Sequence, residues 1–348
     1  MKTRILICLA ALGLAACTAQ TLAPTPVGVS YSWNYRTGDY VRGIPAVNGQ
    51  VVYVGSDDHD LYAVNADNGQ LLWKFETNGN VTSKPAISGD SIFIGSWDDN
   101  VYALQGQGKP RWQFKTGGWV TASPVIADNV LYVGSNDGSL YALSTQDGHR
   151  LWQYATGGRI EAAAVVDGVR VYVASGDGYI YALDKTNGML AWRYRTAGAV
   201  LASPAVANDA VYVGSTDRRF YALDAASGRL KWSLQGDYAF ESSPAIADGV
   251  VYVGCNDGRL YALRAQNGTT VWQFQAKDII RSTPAVWNST VFAGSDDGSL
   301  YGIDRETGAL VWSYHTGGAI AAGPAVADGR LYVGSTDRRL HAFQVAQK

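Results

Sequence analysis

The chain has 348 residues, enough for two ordinary domains or for one large closed β-architecture. Its 40 Gly, 21 Tyr and 11 Trp, against only 17% charged residues, exclude a disordered chain and a coiled coil. A net charge of −2 disfavours nucleic acid as a partner, and three Cys supply neither a disulfide framework nor a four-Cys zinc site.

Lys2 and Arg4 precede an apolar run from Ile5 to Leu14. The run is too short to cross a bilayer as a helix and suits the core of a secretory signal. Its end, Leu14-Ala15-Ala16-Cys17, has the form of a bacterial lipobox, so residues 1–16 are expected to be cleaved and Cys17 lipidated. Residue 18 is Thr, where Asp would imply inner-membrane retention, so the expected address is the outer membrane, facing the periplasm. Residues 17–28, with Pro24 and Pro26, read as an extended tether.

From residue 29 to 348 the chain repeats. Trp33, Trp73, Trp112, Trp152, Trp192, Trp232, Trp272 and Trp312 fall 39 or 40 residues apart. A column of Asp (Asp58, Asp98, Asp137, Asp177, Asp217, Asp257, Asp297, Asp337) and a column of Pro broken only by Ala164 run in phase with them. Within the fifth unit, Leu201 to Val206, Ala210 to Gly214, Phe220 to Leu223 and Leu230 to Leu234 read as four short strands, separated by Asn, Asp and Gly turns. Middle strands such as Val250-Val251-Tyr252-Val253 are apolar at consecutive positions, so both faces of each sheet must be covered. The last strand of a unit alternates, as in Trp192-Arg193-Tyr194-Arg195, which suits an outer strand that is partly wet.

The pattern opens on a fourth-strand sequence, Ser32-Trp33-Asn34-Tyr35-Arg36, and ends on a third strand, Leu340-His341-Ala342-Phe343. The first strand therefore completes the last sheet. The expected fold is an all-β, eight-bladed propeller of four-stranded antiparallel blades, with no open radial edge.

The segment Ala182 to Trp192 resembles the tryptophan-docking motif of quinoprotein (PQQ-type) propellers, Ala-x-Asp-x-x-x-Gly-x-x-x-Trp, and Ala222 to Trp232 repeats it in full. In the second blade the copy from Ala103 to Trp112 is one residue short. The resemblance covers about residues 29 to 345 and implies the fold, with the eight Trp as structural docking residues. An enzyme of that class would hold PQQ and Ca²⁺ over the axis, and its alcohol dehydrogenase branch commonly places an adjacent Cys pair against the quinone. No such pair exists here. The chain more closely resembles the BamB family of outer-membrane assembly lipoproteins, which are non-enzymatic eight-bladed propellers with a similar lipobox. It departs from them in being shorter and more regular, without long loops of the kind that dock a transmembrane partner.

Framework columns hold the ring, so function is sought where blades differ. Turns between second and third strands share one face with the connections between blades. On that face fall Trp97, Trp119, Tyr179, Tyr238 and the pairs Arg218-Arg219 and Arg338-Arg339. An exposed Trp pair beside Arg has the composition of a protein-binding hot spot; the competing reading is that both indoles cap blade ends. A second column, at the start of the innermost strands, carries Arg42, Glu161, Glu241 and Arg281. These charges either select a ligand over the axis or line a wet channel in which Glu241 and Arg281 pair.

Nothing resembles a nucleophile with its base, and the four His lie too far apart in sequence for a local metal motif. No cofactor is expected. The leading expectation is a lipid-anchored, non-catalytic scaffold, monomeric by itself, that binds periplasmic or outer-membrane proteins. The alternatives are a PQQ- and Ca²⁺-dependent oxidoreductase and a ligand-binding sensor.

Overall fold

A computed structural model describes residues 28–346 of the chain; the expected signal peptide, the lipidation site Cys17 and all of the tether but Gly28 lie outside the described residues. The 32 strands form eight four-stranded antiparallel sheets; seven follow chain order from the axis outward, and the eighth takes the first strand of the chain as its outer strand. Blade one comprises Ala46–Asn48, Val51–Gly55, Asp60–Asn65 and Leu71–Glu76. Blades two to seven repeat it, and the outer strand of every one slips register once, as between Ala222 and Leu223 in blade five.

The innermost strand of blade five is only Ala205–Ala207, shorter than the Leu201 to Val206 run expected from sequence. Pro204 has no N–H to donate, so ladder pairing starts beyond it. The preceding residues bond to neighbouring blades instead: the Val200 N–H donates to the Ser175 carbonyl at 3.2 Å, and the Ser203 N–H to Ser243 Oγ at 2.9 Å.

Closure follows the expected scheme. Val29–Arg36 pairs antiparallel with Arg339–Val345 from Val29 opposite Val345 to Arg36 opposite Arg339, and so forms the outer strand of blade eight.

Eight hydrophobic clusters fill the eight blade interfaces. Each docking Trp lies against the next blade. The Trp192 indole rests on Gly228, where a Cβ would stand 2.6 Å from the ring and where φ is +70°, so this position tolerates only glycine. Its Nε1 donates to the Ala225 carbonyl at 2.9 Å, and the Tyr172 hydroxyl donates to the same oxygen at 3.1 Å. Trp33, Trp112, Trp152, Trp232 and Trp272 make the equivalent indole bond. Trp73 and Trp312 do not, among the described residues. Trp73 faces the blade-two motif that is one residue short, and Trp312 faces blade eight, where Phe343 meets its ring edge-on at 5.3 Å.

The Asp column does more than form turns. In blade four Asp177 Oδ1 accepts the Tyr179 N–H at 2.9 Å, while Oδ2 accepts the Gly157 N–H at 2.7 Å and the Tyr181 hydroxyl at 2.6 Å. One carboxylate thus ties a turn, the inter-blade connection and the third strand together. Seven blades use a Tyr for that third bond, at 2.6–2.8 Å. Blade eight uses His341, whose Nε2 lies 2.9 Å from Asp337 Oδ2 and whose buried Nδ1 has no partner.

His341 is 4% exposed, and burial pushes its pKa below the ordinary 6.5 despite the opposing pull of Asp337. In the unfolded chain the imidazole takes up a proton near pH 6.5; in the folded chain it resists until lower pH. The unfolded state therefore binds more protons in that window, and stability falls as pH drops below about 6.5. The variant His341→Tyr restores the side chain of the other seven blades and should flatten this dependence. Melting temperatures of both proteins between pH 7.5 and 5 check it; parallel curves would refute the assignment.

Candidate partner-binding face and axial channel

Trp97 sits in the turn between the second and third strands of blade two, and Trp119 in the connection from blade two to blade three. The backbone places them together: the N–H of Val120, next to Trp119, donates to the carbonyl of Ser96, next to Trp97, at 3.0 Å. Their rings stack with centroids 4.8 Å apart and planes 12° from parallel. Trp97 Nε1 donates to Thr82 Oγ1 at 2.9 Å, and Trp119 remains 50% exposed. The Arg42 guanidinium lies 5.7 Å from the Trp97 ring. This is a rigid aromatic platform with a cation at its edge, and none of the eight interface clusters includes it.

The other candidates on this face stand apart from the platform. Tyr179 packs under two arginines of its own blade, Arg193 at 4.9 Å and Arg195 at 5.8 Å. Tyr238 is exposed on the connection into blade six. Arg218 and Arg219 belong to blade five and are exposed, whereas Arg338 and Arg339 belong to blade eight and approach Asp39 and Asp337 at 3.8 and 3.9 Å. Arg218 and Arg338 adopt φ of 72° and 69° at a position that is Gly in four other blades. The arginine that actually meets the Trp pair is Arg42, which sequence reasoning had assigned to the axis.

The column of Arg42, Glu161, Glu241 and Arg281 is paired differently from expectation. Glu241 and Arg281 do not pair. Arg281 binds Asp296 at 2.5 Å on its own blade, as Arg42 binds Asp57 at 2.5 Å, and Glu161 takes Arg159 at 3.0 Å. Arg42, Glu161 and Arg281 are thus each answered by a residue of the same connection or of their own blade's turn, whereas Glu241 enters no ion pair among the described residues. Burial raises the pKa of Asp57 and Asp296 despite the arginines, because their surroundings exclude water on several sides.

None of these four charges lines the axial cavity. That cavity, of about 750 Å³, is walled mainly by the Pro column and the Ala, Val and Ile that follow it. Its polar lining is Lys84, Ser123 and Thr283. Lys84 was not singled out by sequence reasoning, although it is the only charged residue in its repeat column: Ile, Ser, Ala, Thr or Gly precedes the Pro or Ala position in every other blade.

Cys255 replaces the buried Ser of the other blades and is fully buried, with its pKa pushed up to about 12 by burial. At neutral pH it is a protonated packing group.

A search among curated proteins finds no match. Solved structures do match. BamB from Moraxella catarrhalis superposes with a TM-score of 0.78 at 21% identity, over 91% of this chain and 99% of that one. Quinohemoprotein alcohol dehydrogenase from Comamonas testosteroni gives 0.80 at 16%, over 92% of this chain and 77% of that chain, and the computationally designed protein Ika8 gives 0.78 at 17%, over 89% and 97%. At these identities the likeness is one of fold.

A quinone with its calcium ion needs carboxylates free to converge on the metal. Here Asp57 and Asp296 are held by arginines, Trp119 stacks on Trp97, and no cluster of three His, Cys, Asp or Glu occurs among the described residues. This donor set does not fit that group.

A family profile described as outer membrane protein assembly factor BamB matches residues 28–82, 57–164, 155–278 and 262–347, which together span all eight blades. The chain belongs to the family of outer membrane protein assembly factor BamB, whose propellers are built from PQQ-like repeats.

Proposed function

We propose that the protein is a non-catalytic scaffold, anchored by lipid at Cys17 to the periplasmic side of the outer membrane, that binds protein partners during outer-membrane protein assembly. The family membership and the lipobox-like Leu14-Ala15-Ala16-Cys17 support the setting. The stacked Trp97–Trp119 pair carries the binding assignment: half of one indole faces solvent, its orientation is fixed, and Arg42 borders it. Large aromatics held rigid at a surface lose little entropy on binding, and they dominate the energy of many interfaces.

Cross-linking in intact membranes, with partners identified by mass spectrometry, tests the reading. The double variant Trp97→Ser, Trp119→Ser should keep the wild-type melting temperature to within a few degrees and lose its cross-linked envelope partner. Met189, 67% exposed on the opposite face, provides the control as Met189→Ser. Trp287 on that face is unsuitable, because it packs against the cluster between blades seven and eight. Retention of the partner by the double variant, or its loss from Met189→Ser, would remove this surface from the proposal.

A further inference from the structure

The ring does not require a charge in its channel. Seven of the eight equivalent positions do without one, so Lys84 adds nothing that the repeat needs for folding. It is the only titratable residue lining the axial cavity, and it has no ion-pair partner among the described residues. Its backbone is fixed, because the Lys84 N–H donates to Ser123 Oγ at 2.8 Å. The same hydroxyl lines the channel, and its own proton has no acceptor among the described residues. Around this small polar group the wall is apolar, formed by residues such as Pro45, Pro85, Ile87, Pro124 and Val125.

Lys84 is exposed to the open channel rather than buried in the wall. The surrounding wall lowers its pKa from the ordinary 10.5 by partial desolvation, and no neighbouring charge contributes. The cation stands at an apolar wall with no carboxylate in ion-pair reach among the described residues, so its charge is free to meet a ligand. The missing complement has a definite chemistry: one negative charge, room for a body within about 750 Å³, and an apolar body to cover prolines and aliphatics.

We propose that the axial channel binds a small organic monocarboxylate, its carboxylate on the Lys84 ammonium and the Ser123 hydroxyl, and its apolar body against the Pro, Val and Ile wall. One cation matches one negative charge. A multiply charged ion such as phosphate would bring charge that the channel leaves unanswered, and would give up hydration with nothing apolar to bury. The site is independent of the Trp97–Trp119 platform and of the function proposed above.

Octanoate is the probe, titrated by calorimetry into the protein from Gly28 to the C-terminus, with 1-octanol and inorganic phosphate as comparison ligands. The expected result is saturable one-to-one binding of octanoate, with 1-octanol and phosphate weaker by roughly tenfold or more, the scale of one charge-assisted hydrogen bond. Lys84→Met, similar in length and apolar, should weaken octanoate by a comparable factor at an unchanged melting temperature. The double variant Trp97→Ser, Trp119→Ser should bind octanoate normally. In the unaltered protein, octanoate should protect the Lys84 amine from reductive methylation, a readout that needs no variant. Binding should weaken as pH rises through the depressed pKa of Lys84, because no other described residue lining the channel titrates and the neutral amine attracts no carboxylate. Absence of saturable binding, equal affinity for 1-octanol or phosphate, or methylation of Lys84 unaffected by octanoate would overturn the proposal.

Discussion

Trp192→Ala should cost about 3–5 kcal/mol of stability, the range for truncating a buried Trp. That is a large part of the roughly 5–15 kcal/mol that holds an ordinary domain folded. The indole is 9% exposed, lies on Gly228, tilts against Tyr172 with centroids 5.8 Å apart, and donates to the Ala225 carbonyl. Removing it opens a cavity whose walls are backbone and β-branched side chains of two blades, which cannot collapse without shifting the ladders. The carbonyl keeps the Tyr172 hydroxyl, so the loss is mainly one of packing. Trp119→Ala is the comparison: its ring is half exposed and contacts Trp97, so about 0.5–1.5 kcal/mol of stacking is at stake. Denaturant unfolding of both variants checks the difference. Equal losses would place Trp119 in the framework and remove the reason for treating it as a docking residue.

The repeat made the architecture legible before any coordinates. Trp33 to Trp312 mark blade period, Gly228 and its counterparts mark the slots, and an outer-strand sequence at the start with a third strand at the end leaves one way to close the ring. Such features are local in sequence and repeated eight times, so each copy corrects the others. The candidate sites were legible only in part, because they consist of departures from the repeat whose partners lie on other elements. Trp97 and Trp119 were placed together correctly from the turn and connection they occupy. Arg42 was read with the axial column because that column starts the inner strand; what the sequence left out is its partners, Asp57 and the Trp97 ring. Lys84 escaped notice because a lone lysine carries no spacing signal; only the folded channel shows that it stands alone among apolar walls. His341 likewise reads as one polar residue in a strand, until alignment with seven tyrosines shows which bond it substitutes.

Loss of the closing strand should have an effect larger than any point substitution. A chain beginning at Thr37 lacks Val29–Arg36 and therefore leaves the Arg339–Val345 strand with an unpaired edge. It also strips two interface clusters. Trp33 belongs to the cluster between blades eight and one, with Val52, Val64 and Leu340, and its Nε1 bonds the Ala66 carbonyl at 3.0 Å. Val29 packs on the cluster between blades seven and eight, and Tyr31 stacks on Tyr314 at 5.7 Å and meets Phe343 edge-on at 5.7 Å. An exposed apolar edge recruits further strands, so the truncated chain should aggregate or form strand-exchanged oligomers, and should melt well below a chain beginning at Gly28. If closure is the missing contribution, the separate peptide Val29–Arg36 should bind in its place and restore the monomer. The same peptide with Trp33→Ala should do so more weakly, since it supplies the ladder bonds without the indole that fills the slot. Size-exclusion chromatography and thermal unfolding with and without peptide measure both effects. A truncated chain that stays monomeric at the full melting temperature would mean that seven blades and three strands suffice, and that the ring is held by its radial interfaces alone.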